Sequence, residues 1–586
     1  MRKILLAALI TLGIAGAQSG TDWTTYGFTP GETRYSPLKQ IDTSNVSRLG
    51  LAWSYDVGRG GGNQEATPLA ANNTIYSITN WSVVFALDAR TGKEKWRWDP
   101  DVNQDAVRPK ICCGVVQRGL ALYQNLIIAP VIDGRLIALD ATTGKPVWES
   151  RVSYSQDNYT ITMAPRIAKN KVIIGVAGAE LPIRGFIDAY DAATGRRAWR
   201  FYTVPGDPSK PFENPALKKA AETWSGDWWK LGGGGSVWDG IAYDPEADLV
   251  YVGTGNGGPW PEELRKSKGK DNLYLASILA IKPDTGELKW HFQVVPGDSW
   301  DYDSVQQLLL ADLTIRGQKR KVLMQANKDG FYYVLDRVTG QFISGQPFAR
   351  VTWARGLDER SGRPFINPEA HYGTETISIS PGPGGAHNWA PMSFNPTTGL
   401  VYIPTTTVSS SSFAIDTNFV WKPNQSNIGV RRGPPPAGGG IAPALPATLP
   451  PPPGIGPEGP GPRTVLVAWD PVTQTQRWQT PGGGSIGGGT VTTAGNLVIQ
   501  VIPDGHLVAY SADKGDKLLD IDTGLKGGMG PPITYQVDGK QYIAIMGGTG
   551  IVVGRNVEPG APAPAPTAQT VFPKLLTFIL DGKPMP

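Results

Sequence analysis

The sequence predicts an all-β fold: an eight-bladed β-propeller with four-stranded antiparallel blades and Trp-docking repeats. One short phrase recurs with a period of about 50 residues, which suits one four-stranded sheet per repeat. Short apolar runs with strand-like alternation are frequent, as in residues 171–176 and 248–252. Long amphipathic helical periodicity is nearly absent, and the 73 Gly and 51 Pro among 586 residues fit many tight turns.

The repeated motif consists of an apolar pair, then Asp, then Thr-Gly, then Trp. Its first copy runs from Ala86-Leu87-Asp88 through Thr91-Gly92 to Trp96. Asp and Thr-Gly are expected to form a turn, and the Trp on the next strand can pack on the neighbouring unit. The other copies, the last four degenerate, span residues 138–148, 189–199, 280–290, 334–342, 468–478 and 509–518. Trp53 is expected to end a further unit that is split by the N-terminus.

The N-terminus has the order of a secretory signal: basic residues 2–3, an apolar run at 4–14 and small residues at 15–17. We expect cleavage after Ala17, export to the periplasm and a single propeller domain over residues 18–586. An uncleaved anchor is the alternative, but the apolar run is shorter than the roughly 20 residues that a bilayer span needs. No other segment resembles a transmembrane helix. Residues 433–462 contain twelve prolines, which predicts a loop insertion because proline interrupts strand ladders.

Charge and cysteine content narrow the function classes. Loss of Arg2 and Lys3 lowers the formal net charge from +4 to +2, and basic patches with interleaved aromatic residues are absent, so nucleic acid is not an expected partner. The only cysteines are the adjacent Cys112 and Cys113. They would be ordinary thiols in a reducing cytosol, whereas an exported protein is expected to join them in a vicinal disulfide. The sequence has no Cys-x-x-Cys-His motif for covalent haem attachment.

Several polar residues interrupt the strand pattern. Glu180 follows one apolar strand, Asn256 lies in a Gly-rich turn after another, and Asp301 and Asp303 share one side of an extended segment. Any one of them alone would be a common turn cap. Together, carboxylates and an amide oxygen without His or Cys favour a hard cation such as calcium, or a trivalent ion of similar size.

A second set is aromatic, cationic and amide-bearing: Trp238, Lys328, Asn388 and Trp389. A flat polyanionic cofactor needs such groups. With these motifs, the chain from about Asp22 to Gly582 resembles the pyrroloquinoline quinone (PQQ)-dependent alcohol dehydrogenases, which include methanol and ethanol dehydrogenases. The resemblance implies that the ring closed by the Cys112–Cys113 disulfide covers one face of PQQ and that Trp238 covers the other.

The resemblance also implies contacts around the edge of the cofactor. The residues concerned are Glu65, Arg118, Thr162, Gly178, Ala179, Ser236, Lys328, Asn388 and Trp389. Ser236 stands where the family usually has Thr, which keeps the hydroxyl. The chain departs from the family in residues 484–490, where it lacks a Trp before the Gly-Gly-Thr sequence.

By the same resemblance Glu180, Asn256 and Asp301 ligate the metal, Asp301 is the catalytic base, and Lys328 lies beside the reactive quinone carbonyl. Asp303 resembles the second Asp of lanthanide-dependent members. A trivalent ion favours another anionic oxygen more strongly than a divalent ion does. We therefore expect PQQ and a lanthanide ion as cofactors, with Ca²⁺ as the alternative, and Asp303 as a further ligand.

The expected reaction is oxidation of a primary alcohol to the aldehyde, by metal-assisted hydride transfer to C5 of PQQ. Electrons are then expected to pass to a separate acceptor, by family analogy a periplasmic cytochrome c. A PQQ-dependent sugar or polyol dehydrogenase is one alternative. The other is a non-catalytic envelope scaffold, which would have no reason to keep the predicted ligands and vicinal cysteines together. A homodimer is compatible with the sequence.

Overall fold

The computed structural model describes residues 21–111, 113–431, 464–552 and 565–585. The predicted signal peptide at residues 1–17, Cys112 and the Pro-rich segment at residues 433–462 lie outside the described residues, and the predictions for them stay predictions. Within the described ranges, no helix combines the length and apolar character needed to span a membrane.

The described strands form eight sheets of four or five strands, here called blades 1–8, as the repeats predict. Blade 1 contains Leu69–Ala71, Thr74–Ile78, Val84–Asp88 and Glu94–Trp98. Blade 2 contains Ala121–Tyr123, Leu126–Pro130, Arg135–Asp140 and Pro146–Arg151. Blade 3 contains Arg166–Ala168, Lys171–Gly175, Phe186–Asp191 and Arg197–Tyr202. Blade 4 contains Ile241–Asp244, Leu249–Gly253, Ser277–Ile281 and Leu288–Gln293.

Three further blades follow the same antiparallel order. Blade 5 contains Leu309–Ile315, Gln318–Ala326, Phe331–Asp336 and Phe342–Pro347. Blade 6 contains Ser393–Asn395, Leu400–Thr406, Thr464–Asp470 and Thr475–Pro481. Blade 7 contains Thr490–Thr493, Leu497–Val501, His506–Ser511 and Lys517–Asp522, with Tyr35–Ser36 added in parallel to Thr490–Thr493.

Blade 8 joins the two ends of the chain. It contains Ile533–Val537, Lys540–Gly547 and Lys574–Leu580, and its fourth strand is the N-terminal strand Leu49–Asp56. Leu49–Asp56 pairs antiparallel with Lys574–Leu580 and carries Trp53. The unit predicted to be split by the N-terminus is therefore confirmed. A hydrogen-bonded ladder between the two chain ends completes blade 8 and closes the ring.

The tryptophan of one blade packs on the turn of the next. The ring of Trp96 in blade 1 lies against Gly144 of blade 2. A Cβ added to Gly144 would be 2.6 Å from the Cδ2 atom of Trp96. The indole nitrogen of Trp96 donates to the carbonyl of Ala141, 3.0 Å away. The same Trp–Gly contact occurs between other blades at the pairs Trp53–Gly92, Trp148–Gly195, Trp199–Gly286, Trp290–Gly340 and Trp478–Gly515. Each of these tryptophans thus packs on the neighbouring blade, so adjacent blades stabilise one another.

Few described elements depart from the blades. The helices are short: Gln104–Val107, Pro215–Ala221, Trp228–Leu231 and Glu262–Arg265, with 3-10 turns at Val46–Arg48, Arg108–Lys110, Ser155–Asp157 and Pro368–Ala370. Helix Pro215–Ala221 begins at an Asn214 cap whose side chain accepts from the amide of Leu217. The two-stranded pairs are Gly233–Gly234 with Gly257–Gly258, Ala354–Leu357 with Pro364–Ile366, and Ile377–Ile379 with Ser411–Phe413.

Burial sets the radial order of the strands. First strands such as Leu69–Ala71 are buried, whereas fourth strands such as Pro146–Arg151 are largely exposed. First strands of several successive blades contact one another, so they surround the axis. Because first and second strands are antiparallel, segments that precede first strands and segments that follow second strands lie at the same end of the propeller. That end carries the candidate site.

Candidate functional site

A cavity of about 370 Å³ opens at this end of the propeller. Its wall comes from segments before the first strands of blades 1–7 and after the second strands of blades 3, 4 and 5. The lining residues are Asn63, Glu65, Ile111, Cys113, Gly114, Val116, Arg118, Thr160, Thr162, Ala177, Gly178, Glu180, Ser236, Trp238, Trp260, Asp301, Asp303, Lys328, Pro383, Gly384, Asn388, Trp389 and Ile486. The volume lies within the range of about 300–1,000 Å³ typical of small-molecule pockets.

Arg118 organises the polar edge of the cavity. Its Nη2 atom lies 2.7 Å from Oε2 of Glu65, and its Nη1 donates to Oγ1 of Thr162 at 3.1 Å. Its guanidinium carbon lies 4.8 Å from the ring centre of Trp238. Burial raises the pKa of Glu65 to about 7, although Arg118 opposes that shift. This edge therefore offers a fixed cation and a carboxyl that can carry a proton near neutral pH.

Two carboxylates and one ammonium group form a second centre. Nζ of Lys328 lies 2.6 Å from Oδ2 of Asp303 and 3.2 Å from Oδ2 of Asp301, and it donates to the backbone carbonyl of Asp301 at 2.9 Å. Oδ1 of Asp303 accepts from the backbone amide of Asn256 at 2.7 Å. Glu180 lines the same cavity. Among the described residues, no group of three or more His, Cys, Asp or Glu side chains is already gathered in a metal-binding arrangement.

The backbone presents Asp301 to the cavity in an unusual way. Asp301 has a φ of 67°, in the left-handed region, and the carboxylate of Asp298 holds the loop by accepting from the amides of Trp300 and Tyr302. Burial raises the pKa of Asp301 well above its ordinary value, Lys328 opposes this, and Asp303 and Glu180 add to it. The pKa of Lys328 is raised despite its burial because Asp301 and Asp303 favour the charged form.

The cavity wall fits a flat anionic cofactor and a hard cation. Across the described residues, Oγ of Ser236 and Oδ1 of Asp301 are buried without a hydrogen-bond partner in the protein. Gly114 and Gly384 line the cavity, and a Cβ at either position would meet nothing within 4 Å. Trp238 and Trp389 supply aromatic surfaces and Arg118 supplies positive charge. Polar atoms, open glycine positions and aromatic faces together suit PQQ, and the carboxylates suit a metal ion.

Most of the predicted site residues meet in this one cavity. Those that line it are Glu65, Cys113, Arg118, Thr162, Gly178, Glu180, Ser236, Trp238, Asp301, Asp303, Lys328, Asn388 and Trp389. Ala179 and Asn256 are buried nearby but do not line it. Asn256 instead touches the site through its backbone bond to Asp303. Cys112 lies outside the described residues, so its pairing with Cys113 is untested.

Sequence reasoning missed several lining residues. Asn63, Gly114, Thr160 and Ala177 lie within a few residues of predicted positions, so the motif boundaries were drawn too narrowly. Trp260 lies four residues after Asn256, with no sequence signal beyond that proximity. Ile486 lines the cavity at the stretch that departs from the family pattern, and 58% of its surface is exposed. An exposed lining residue places this part of the wall at the mouth.

Comparisons with known proteins agree with the geometry. Residues 23–347 and 358–543 match the family described as "PQQ: Glucose/ethanol/alcohol dehydrogenase, beta-propeller domain". The chain is 49% identical to quinohemoprotein alcohol dehydrogenase ADH IIB of Pseudomonas putida, over 97% of this chain and 79% of that protein. It is 40% identical to the 1-butanol dehydrogenase (cytochrome c) of Thauera butanivorans, over 99% of this chain and 81% of that protein.

Two solved structures share the fold over nearly the whole chain. The quinohemoprotein alcohol dehydrogenase of Comamonas testosteroni has a TM-score of 0.85 and 44% identity, covering 97% of this chain and 82% of that one. A europium-containing methanol dehydrogenase has a TM-score of 0.80 and 33% identity, covering 96% of this chain and 99% of that one.

Proposed function

The chain belongs to the PQQ-dependent alcohol dehydrogenase family, and we propose that it oxidises a primary alcohol to the aldehyde with a lanthanide ion beside PQQ. PQQ-dependent alcohol oxidation follows from the family. The proposal of a primary alcohol substrate and a lanthanide ion depends on one observation. Arg118, Trp238 and the Asp301–Lys328–Asp303 group line the same cavity. Family membership as a dehydrogenase leaves no support for the scaffold alternative.

The cofactor would be held by the polar edge and the aromatic faces. Arg118, Thr162 and Ser236 offer hydrogen bonds and charge, and Glu65 steadies Arg118. Gly178, Asn388 and Trp389 complete this wall, and the buried Ala179 directly follows Gly178 in the chain. Trp238 would cover one face of PQQ. Cys113 would cover the other face as part of a vicinal disulfide with Cys112, supported by its position in the cavity wall.

The metal would be held by Glu180, Asp301 and Asp303, with Asn256 contributing its amide oxygen. Three carboxylates give a formal charge of −3, which matches a trivalent ion better than a divalent one. The europium-containing relative in the comparison supports the same choice. A metal at Asp301 and Asp303 would have to replace the ammonium of Lys328, which now balances both carboxylates. Ca²⁺ remains the alternative ion.

When bound, PQQ would act as the two-electron acceptor, and the metal would supply positive charge that favours reduction of the cofactor. Asp301 would accept the hydroxyl proton of the alcohol, because its Oδ1 atom has no hydrogen-bond partner among the described residues. Lys328 would then donate from Nζ at the oxygen where negative charge develops. Both side chains are largely buried, which lowers their contact with water and strengthens these interactions.

A separate electron acceptor completes the proposal. The Thauera butanivorans relative is named for cytochrome c, which supports a cytochrome c as acceptor here. The signal-like residues 1–17 support export, and the acceptor would then be periplasmic. The mass of the protein in solution tests whether two subunits pair.

Reconstitution tests the proposal. Metal-stripped protein is loaded with PQQ and either Ca²⁺ or La³⁺, and dye reduction is followed with methanol, ethanol, longer primary alcohols, glucose and glycerol. We expect activity with primary alcohols and La³⁺, and loss of it in Asp303→Ala. Activity with Ca²⁺ alone would overturn the lanthanide assignment, and activity only with glucose or glycerol would overturn the substrate class. A matched control, Asp244→Ala, removes a buried Arg-paired carboxylate that does not line the cavity.

A further inference from the structure

Five buried charged side chains of alternating sign extend from the cavity wall into the protein. Oε2 of Glu65 lies 2.7 Å from Nη2 of Arg118, and Nε of Arg118 lies 3.6 Å from Oδ2 of Asp239. Oδ1 of Asp239 lies 3.9 Å from Nη2 of Arg166, and Nε of Arg166 lies 2.7 Å from Oε1 of Glu32. We call these residues the axial charge chain. All five are buried, but only Glu65 and Arg118 line the cavity.

Glu32 belongs to a distinct part of the fold, residues 21–36, here called the N-terminal segment. This segment lies across the first strands of the blades. Its backbone bonds reach Ala70 in blade 1, Tyr243 in blade 4, Leu310 in blade 5, Phe394 in blade 6, Thr492 in blade 7 and Gln536 in blade 8. The segment therefore closes the axis behind the cavity and is held by six blades.

Side chains hold the N-terminal segment in place beside the axial charge chain. The guanidinium carbon of Arg166 lies 3.9 Å from the ring centre of Tyr26. Arg34, which is fully buried, donates to the backbone carbonyls of Tyr26, Thr490 and Pro532. Glu32 and Arg166 thus meet only when the N-terminal segment is docked.

Asp239 is the central member of the axial charge chain. It directly follows Trp238, and it is the carboxylate that faces both Arg118 and Arg166. Burial raises the pKa of Asp239, and Arg118 and Arg166 oppose that shift by favouring its charged form. Without this charge, the two guanidinium groups would face each other across a buried space, and Arg118 would lose one of the contacts that fix it.

We propose that the axial charge chain couples cofactor binding to docking of the N-terminal segment, with Asp239 as the positioning residue that holds Arg118 in the cavity wall. This inference rests on the proposed role of Arg118 and Glu65 in binding PQQ. Coupling between two sites is reciprocal, so bound PQQ stabilises the docked segment as much as the docked segment strengthens PQQ binding.

The first test measures PQQ affinity in the full-length apoprotein at one saturating metal concentration, by tryptophan quenching or calorimetry. Asp239→Asn keeps the shape and removes the charge, and we expect the Kd for PQQ to rise about tenfold, the equivalent of one broken charged contact. Glu32→Gln, which does not line the cavity, should raise the Kd about threefold, and should add little in the Asp239→Asn background. A merely structural effect would not show this non-additivity.

The matched control is Asp188→Asn. Asp188 is a fully buried carboxylate in blade 3, paired with Arg200 at 2.7 Å, and it does not line the cavity. Its loss should lower the thermal stability of the protein while the Kd for PQQ stays unchanged. If Asp188→Asn weakens PQQ binding as much as Asp239→Asn, the effect is general destabilisation and the coupling is wrong.

The second test is hydrogen exchange of peptides that cover residues 21–36. Adding PQQ should slow exchange there in the wild type and should do so much less in Asp239→Asn. Unchanged exchange in the wild type would overturn the coupling. Arg118→Gln distinguishes an error in the proposed cofactor site from an error in the coupling. If this variant binds PQQ normally, the proposed cofactor site is wrong. If it weakens binding while Asp239→Asn and Glu32→Gln do not, the coupling alone is wrong.

Discussion

Nζ of Lys328 lies 2.6 Å from Oδ2 of Asp303, deep in the wall of the cavity. The same nitrogen is 3.2 Å from Oδ2 of Asp301, so one ammonium balances two carboxylates. A metal ion needs the same oxygens that Lys328 now engages. Metal affinity and the charge at position 328 are therefore coupled.

Asp303→Asn should discriminate between the two candidate metals. Removing one anionic oxygen should weaken La³⁺ binding about tenfold or more and Ca²⁺ binding less, because attraction scales with ion charge. Calorimetric titration of PQQ-loaded protein with each metal measures this. Asp244→Asn, a buried carboxylate paired with Arg337, is the matched control. Equal losses for the two ions would contradict a special role of Asp303 toward a trivalent ion.

Lys328→Met should destabilise the metal-free protein. It leaves Asp301 and Asp303 buried without their shared cation, at a cost of about 3 kcal/mol in the free energy of unfolding. Added metal should then raise the melting temperature of the variant more than that of the wild type, because binding also relieves the repulsion. Thermal unfolding with and without La³⁺ is the measurement. A metal-free variant as stable as the wild type would show that Lys328 does not balance these carboxylates.

Trp238→Ala should weaken PQQ binding without unfolding the protein. The ring lines the cavity, and losing its stacking surface should raise the Kd about tenfold. Trp148→Ala is the control, since Trp148 is similarly half-buried but packs on Gly195 of the next blade. The control should lower the melting temperature and leave PQQ affinity unchanged. If Trp148→Ala weakens PQQ binding and Trp238→Ala does not, Trp238 does not cover a face of PQQ.

Glu32 should make the apoprotein lose stability as pH rises. Burial raises the pKa of Glu32 from 4.5 to about 7, against the opposing effects of Arg166 and Arg34, while Asp239 adds to the rise. The folded state therefore holds this proton more tightly, and the resulting stability is fully present below pH 4.5 and lost as pH approaches 7. The loss is at most about 3 kcal/mol. Urea unfolding of wild type and Glu32→Gln across this pH range should show a steeper decline in the wild type; parallel curves would contradict it.

Gly144→Ala should cost far more stability than Gly399→Ala. Both glycines have nearly the same left-handed φ, 70° and 71°, so the backbone strain is matched. A Cβ at Gly144 would lie 2.6 Å from the ring of Trp96, whereas one at Gly399 meets nothing within 4 Å. We expect a loss of about 1 kcal/mol for Gly399→Ala and about 2 kcal/mol more for Gly144→Ala. Equal losses in urea unfolding would show that the Trp contact is not tightly packed.

The repeats were readable from the sequence because each blade is specified locally. An apolar strand, an Asp and Thr-Gly turn and a Trp recur within a dozen residues, and the structure confirms the eight blades and the split unit at Trp53. Short-range turn chemistry and strand alternation need no knowledge of distant residues. The family resemblance likewise depended on ordered local motifs, such as the segments around Trp238 and Asp301.

By itself, then, the sequence determined the fold class, the family and most residues that line the site. Only the tertiary structure decided how these residues meet: that Lys328 balances Asp301 and Asp303, and that Asn256 reaches the site through its backbone. It alone brought Trp260 and Ile486 to the cavity and aligned Glu32 with Arg166 across 134 positions of the chain. The physical reason is that ion pairing and burial depend on distances in space, which closure of the ring sets and local sequence patterns do not encode.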